Sequence, residues 1–223
     1  MNLEEVFNES FNYTQRFIKD DFGRYIILAV LSVIPVLNLI VLGYGCKVVK
    51  ETSPSPPKLE NFVDLWIQGL KVVVVTVIYM LIPIILITLS FYSIHQFRKI
   101  EFFWVFPPTF LSTINFSFLS LGFILTFLFS IVLVVAIVHM IKLDNFSKAF
   151  SLNEIFRVIG NIGWGKYLAW LVIVFVLWLI IWSLGRIPFI GWVIVLLLTP
   201  LLLVFIAKSI NLLYSSVTIG IEA

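Results

Sequence analysis

Five stretches of this chain are apolar for about 18 residues or more, the length that marks a transmembrane candidate. They are Tyr25–Val49, Leu70–Tyr92, Phe118–Ile141, Tyr167–Leu184 and Ile187–Tyr214, and none contains an Asp or a Glu. A chain built this way uses lipid as its solvent, where helices satisfy their own backbone hydrogen bonds. Composition agrees, with 61% of residues hydrophobic and 12% charged, against about a quarter charged in a soluble domain. The segments between the runs are short, so one polytopic membrane domain over 1–223 is expected.

The first run decides the threading. Pro35-Val36-Leu37-Asn38 interrupts it, Arg24 precedes it, and Lys47 and Lys50 close it. Short cytoplasmic loops hold the excess of Lys and Arg. If Tyr25–Val49 crosses once, six cations face eight across the membrane, which is barely a bias. If the run turns at Pro35–Asn38 and leaves on the side it entered, eleven face three (Arg98, Lys99 and Arg186). Pro35 lacks an amide donor, and Asn38 can bond the freed backbone. The sequence therefore favours a re-entrant helical hairpin over 24–50, with a proline-kinked single span as the alternative. The expected fold class is an all-α integral membrane protein. About four full transmembrane helices over 69–92, 118–142, 167–184 and 187–214 accompany the hairpin, with the N-terminus cytoplasmic. The first twenty residues carry Glu4, Glu5, Glu9 and Asp20, the wrong sign for the basic start of a signal peptide, so retained segments are expected to drive insertion.

A related pattern recurs later. Ile34-Pro35-Val36-Leu37-Asn38 and Ile187-Pro188-Phe189-Ile190-Gly191 share one form, each ahead of a long aliphatic stretch. Pro35, Pro188 and Pro200 are the expected helix breaks at membrane depth.

Three short segments carry capping-box patterns: Asn2-x-x-Glu5, Asn61-x-x-Asp64 and Ser151-x-x-Glu154. At 100° per residue, Leu3, Val6, Phe7, Phe11, Phe17 and Ile18 share one face of a helix within 1–22, opposite Glu5, Glu9, Arg16 and Lys19. Leu152, Ile155, Phe156, Val158, Ile159 and Ile162 likewise oppose Asn153, Glu154, Arg157 and Asn161. These two, with a shorter helix over Phe62–Gln68, read as interfacial amphipathic helices on the cytoplasmic surface. Ser53-Pro54-Ser55-Pro56-Pro57 reads as a stiff extended spacer. Trp66, Trp104, Trp164, Tyr167 and Trp192 fall near predicted span ends, where amphipathic rings prefer to sit.

The sequence offers little chemistry. With no acid in any span, an intramembrane proton relay or carboxylate ion site has no members. Cys46 is the single cysteine, so neither a disulfide within the chain nor a cysteine metal cluster can form. It reads as a small buried thiol. His95 and His139 have no Cys, Asp or Glu at ligand spacing. No catalytic residue, cofactor site or metal site is assigned, and the spread of the +3 charge gives no nucleic-acid footprint. Lys208 is the one cation deep in an apolar run, about 9 Å along a helix from Tyr214. Its stem can snorkel to the interface. Lys208, Asn38 and His139 are the candidate lipid-headgroup or pore contacts, and Arg186 reads as a loop anchor.

Several segments are similar to an uncharacterised prokaryotic membrane family, domain of unknown function 4013. They are Phe22-Gly23-Arg24, Ile34-Pro35-Val36-Leu37-Asn38 through Leu42-Gly43-Tyr44, Phe62-Val63-Asp64, Gly69-Leu70-Lys71, Ala149-Phe150, Gly163-Trp164-Gly165-Lys166-Tyr167, and Ile187-Pro188-Phe189-Ile190-Gly191-Trp192. The resemblance implies a multi-pass protein of archaea and some bacteria with no assigned activity. The function expected is non-enzymatic: organising membrane lipid, or docking a protein partner or a second copy through the interfacial helices. A small transporter or channel lined by Asn38, Thr76, Ser90, Ser120, Ser130 and Lys208 is the alternative, and an intramembrane lipid-modifying enzyme the third. The cell membrane is the expected location.

Overall fold

The computed structural model describes residues 2–97 and 108–218, with side chains over 2–92 and 116–217. Arg98, Lys99 and Trp104 lie outside the described residues, as does the side chain of His95. Every element among the described residues is helical: α1 (Leu3–Asp20), α2 (Phe22–Val33), α3 (Asn38–Lys50), α4 (Phe62–Phe97), α5 (Pro108–Lys142), a short 3-10 helix (Phe146–Phe150), α6 (Leu152–Ile162), α7 (Trp164–Leu184) and α8 (Gly191–Thr218). Four stretches, Phe62–Tyr92, Phe116–Lys142, Trp164–Leu184 and Gly191–Val217, are long and apolar enough to cross a membrane. The chain is an all-α membrane protein in type. Its contacts gather into two compact units, residues 1–73 with 135–223, and residues 74–134.

Within 74–134, α5 comes close to α4 at Gly122, where an added Cβ would meet the Ile87 side chain. Tyr79 and Phe129 meet edge to face at 6.5 Å. The Ser120 and Ser130 hydroxyls donate to carbonyls of their own helix, those of Ser117 and Phe127, which is the local satisfaction a hydroxyl finds in an apolar helix.

The larger unit is organised around α8, which packs against α1, α2, α3, α6 and α7. The interrupted first run forms a helical hairpin. Tyr25 opens α2 and Tyr44 lies in α3, and on one straight helix they would stand about 28 Å apart. Both rings instead lean on Phe17 of α1, at 6.2 and 5.8 Å between centroids. The arms of 12 and 13 residues are about 18 and 20 Å long, short of the roughly 30 Å hydrocarbon core. The segment expected as a separate interfacial helix, Phe62–Gln68, is corrected: it is the start of α4. Gly69 does not break that helix but lets it approach α3, since a Cβ there would run into the Leu39 carbonyl. Gly43 does the same opposite Leu65.

The two Ile-Pro segments adopt related turns. The Asn38 N–H donates to the Ile34 carbonyl at 2.8 Å, and the Gly191 N–H to the Ile187 carbonyl at 2.9 Å. The following bonds also correspond, Ile40 to Leu37 and Val193 to Ile190. Pro35 and Pro188 thus sit in turns that each launch a helix. Pro200 differs from expectation, because α8 continues through it, as apolar helices tolerate a missing donor where neighbours support them.

Candidate functional site

Polar side chains concentrate at one end of the larger unit, where they tie helices distant in sequence. The first clasp begins with α1, whose capping box is present: the Asn2 side chain accepts from the Glu5 N–H at 2.8 Å, and the Glu5 carboxylate accepts from the Asn2 N–H at 3.0 Å. The helix then buries Val6, Ser10, Tyr13 and Phe17, and Phe7 stacks on Phe205 of α8. Alongside it, Lys208 is buried at 3% exposure. Its ammonium lies 3.8 Å from the Glu9 carboxylate and 4.7 Å from the centre of the Tyr13 ring. A charge so far from water needs both an opposite charge and a π face near it. Burial pushes the Tyr13 hydroxyl well above its ordinary value.

Arg24 anchors the second clasp. It is 4% exposed and donates to the carbonyls of Pro56, Pro57 and Phe17 at 3.2, 2.9 and 3.1 Å. The Tyr44 hydroxyl donates to the same Pro57 carbonyl at 2.8 Å. The proline spacer is therefore a bound strap across the hairpin. Proline carbonyls suit the role because a Pro-rich segment makes no internal hydrogen bonds and leaves its acceptors open. The Arg24 Nε has no hydrogen-bond partner in the structure.

The third clasp joins α5, α6 and α8. His139 Nδ1 lies 2.7 Å from the Tyr214 hydroxyl, and its Nε2 lies 2.8 Å from Glu154. The Lys148 ammonium donates to the other Glu154 oxygen at 2.6 Å. A carboxylate only accepts, so Nε2 carries the hydrogen and, in the neutral ring, Nδ1 accepts from Tyr214. The Lys148 hydrogen bond, followed by that from His139, holds the Glu154 carboxyl below its ordinary 4.5. This corrects the expected Ser151 capping box: the Ser151 side chain makes no capping bond, because Glu154 reaches across to α5 instead. Asn61 also departs from the capping pattern, with a left-handed φ of 58° before α4. Finally, the Asn211 amide donates to the Val48 and Glu51 carbonyls at 3.3 and 2.9 Å, closing α8 onto the end of α3.

These clasps consume the polar groups that bear most chemistry. His139, Tyr214 and Lys208 are buried and already partnered. Among the described residues no group of three His, Cys, Asp or Glu side chains could hold a metal ion. Asn38 opens α3 while Val48 near its other end meets α8, so the structure does not bring Asn38 together with Lys208. Cys46 is buried, as its place in an apolar run implied. Trp66 donates to the Val36 carbonyl at the tip of the hairpin, 3.1 Å away.

What remains open is an apolar edge. The α6 face formed by Ile155, Val158, Ile159 and Ile162 is buried, yet Leu152 and Phe156 are 48% and 45% exposed. Phe156 lies beside the exposed Trp164, and Phe146 and Phe150 form an edge-to-face pair just before α6. On α1 the corresponding remainder is Phe11. Arg157 stands exposed next to this edge.

The helices define a polytopic membrane protein whose buried polar side chains tie its helices together. Residues 27–190, well over half of the chain, match the family model described as Protein of unknown function (DUF4013), and the chain belongs to that family. No curated protein and no solved structure matches it.

Proposed function

We propose that this protein acts without catalysis, as a cell-membrane protein that organises lipid at the cytoplasmic surface through the outer edge of the 3-10 helix and α6. One observation carries the reading: the apolar face of α6 is wider than the part that its own core covers. A helix that served only its own core would need just the Ile155, Val158, Ile159 and Ile162 face. Leu152 and Phe156, with Phe146, Phe150 and Trp164, add an exposed apolar edge flanked by Arg157, the pattern of an interfacial helix on anionic lipid. The hairpin supports the orientation, since a chain that turns back between α2 and α3 yields the eleven-to-three cation count with this surface cytoplasmic. In a bilayer that hairpin is re-entrant, its tip covered by Trp66.

The test is a photo-crosslinking amino acid placed at Phe156 or Phe150 in native membranes. Phospholipid adducts are expected. A discrete protein adduct would replace the lipid reading with partner docking or self-association, and solute flux in proteoliposomes would replace it with transport.

A further inference from the structure

Away from the clasps, the α7–α8 pair encloses a groove of about 350 Å³ lined by Trp178, Trp182, Arg186, Val195, Thr199 and Leu202. That volume lies in the range of small-molecule sites, about 300–1,000 Å³. We propose that it seats part of one anionic phospholipid, with the phosphate on Arg186 and the upper stretch of an acyl chain running along Trp178 and Leu202. This goes beyond the role assigned to α6 and stands independently of it.

Depth is the first argument. The 21 residues of α7 extend about 31 Å, matching a hydrocarbon core of about 30 Å. Arg186 lies two residues past the end of α7 and so stands at headgroup level. Trp178 lies about 12 Å back along α7, and Leu202 about 17 Å into α8. The groove therefore spans the depth of one leaflet, about 15 Å.

Chemistry is the second. The Arg186 guanidinium lies 4.1 Å from the centre of the Trp182 ring, and Trp182 stacks on Trp178 at 6.5 Å with the planes 16° apart. Stacking fixes the plane of the guanidinium, so its N–H edge can meet a phosphate with two parallel hydrogen bonds. The sequence has no Asp or Glu between Glu154 and Glu222, and among the described residues Arg186 makes no ion pair. A ligand that brings its own negative charge supplies what this hairpin lacks. Below Arg186 the wall is apolar, since the Thr199 hydroxyl is spent on the Val195 carbonyl at 2.6 Å.

The proposal is tested in nanodiscs containing equal amounts of phosphatidylglycerol and phosphatidylcholine, with bromine on the acyl chains of one lipid at a time. Tryptophan fluorescence is read in a protein with Trp104, Trp164 and Trp192 replaced by Phe, so that the exposed indoles among the described residues are Trp178 and Trp182 of the groove. Brominated phosphatidylglycerol is expected to quench more strongly, with a preference of about fivefold at the groove for one well-placed Arg. Arg186→Gln abolishes the preference, and Thr199→Phe, which fills the groove and keeps the charge, lowers it. Equal quenching of these indoles by the two brominated lipids while Arg186 and Thr199 are intact overturns the proposal. A preference that survives Arg186→Gln overturns it as well.

Discussion

Two hairpins in this protein begin from the same turn and reach different ends. At residues 34–38 and 187–191 an Ile carbonyl accepts from the N–H four residues on, at 2.8 and 2.9 Å. The first turn joins arms of 12 and 13 residues, the second arms of 21 and 28. Only the second pair is long enough to span a bilayer. A proline turn does not decide whether a segment crosses; the length of apolar helix on each side does. The short hairpin is also held from outside, by Phe17, by the Arg24 strap and by Trp66. The long one is joined within itself through Trp170, whose indole donates to the Ser209 hydroxyl at 3.0 Å, and its α8 arm is also the surface on which α1, α2, α3 and α6 pack.

The largest expected effect comes from removing an outside support. Phe17→Ala leaves a void between Tyr25 and Tyr44 and should cost about 3–5 kcal/mol, read as a fall in the melting temperature of the purified protein. A change below about 1 kcal/mol would mean that the short arms hold each other unaided. Arg24→Met comes next. It removes three hydrogen bonds to carbonyls and should cost about 1–3 kcal/mol, softened by the relief of a buried charge. Arg24→Lys keeps the charge but not the fork, so recovery of full stability by lysine would disprove the strap geometry.

Acid should separate the short hairpin from α6. The acceptors in the Arg24 clasp are backbone carbonyls, which do not titrate. Glu154, which ties α6 to α5, has a carboxyl held below 4.5 by Lys148 and His139. A group lowered in the folded state contributes stability that is present above its unfolded value and is lost as pH falls through the folded one. Protection of α6 amides, corrected for the intrinsic pH dependence of exchange, should therefore fall below about pH 4.5 while that of α3 stays flat, and equal falls would remove the distinction. The smallest effects belong to the turns themselves. Pro35→Ala and Pro188→Ala should each cost under about 1 kcal/mol and by similar amounts. A much larger loss at one site would show that the turns are equivalent in hydrogen bonding but not in energy.

Much of the helical content was legible because apolar run length is a local property, and the Pro35 interruption fell where the chain turns. The amide at Asn2 also revealed its cap. The clasps were not legible. Glu154 read as a capping acid from its spacing to Ser151, yet its partner His139 lies 15 positions away. Arg24 read as a flanking charge that sets topology, and nothing local told that Pro56 and Pro57 would fold back to accept from it. Lys208 read as a snorkelling side chain, and its meeting with Glu9 joins opposite ends of the chain. Such pairings depend on which helices become neighbours, and that is decided by packing at positions such as Gly43 and Gly69.

The Tyr25 hydroxyl bonds the Leu197 carbonyl across 172 positions, and Asn211 reaches Val48 across 163. During synthesis the opening helices therefore leave the ribosome long before the segment that receives them exists. Until α8 has been made, α1, α2 and α3 have only one another and the strap to pack on, so membrane insertion and final assembly are separate events. A polypeptide interrupted before Gly191 would release its beginning as well as its end.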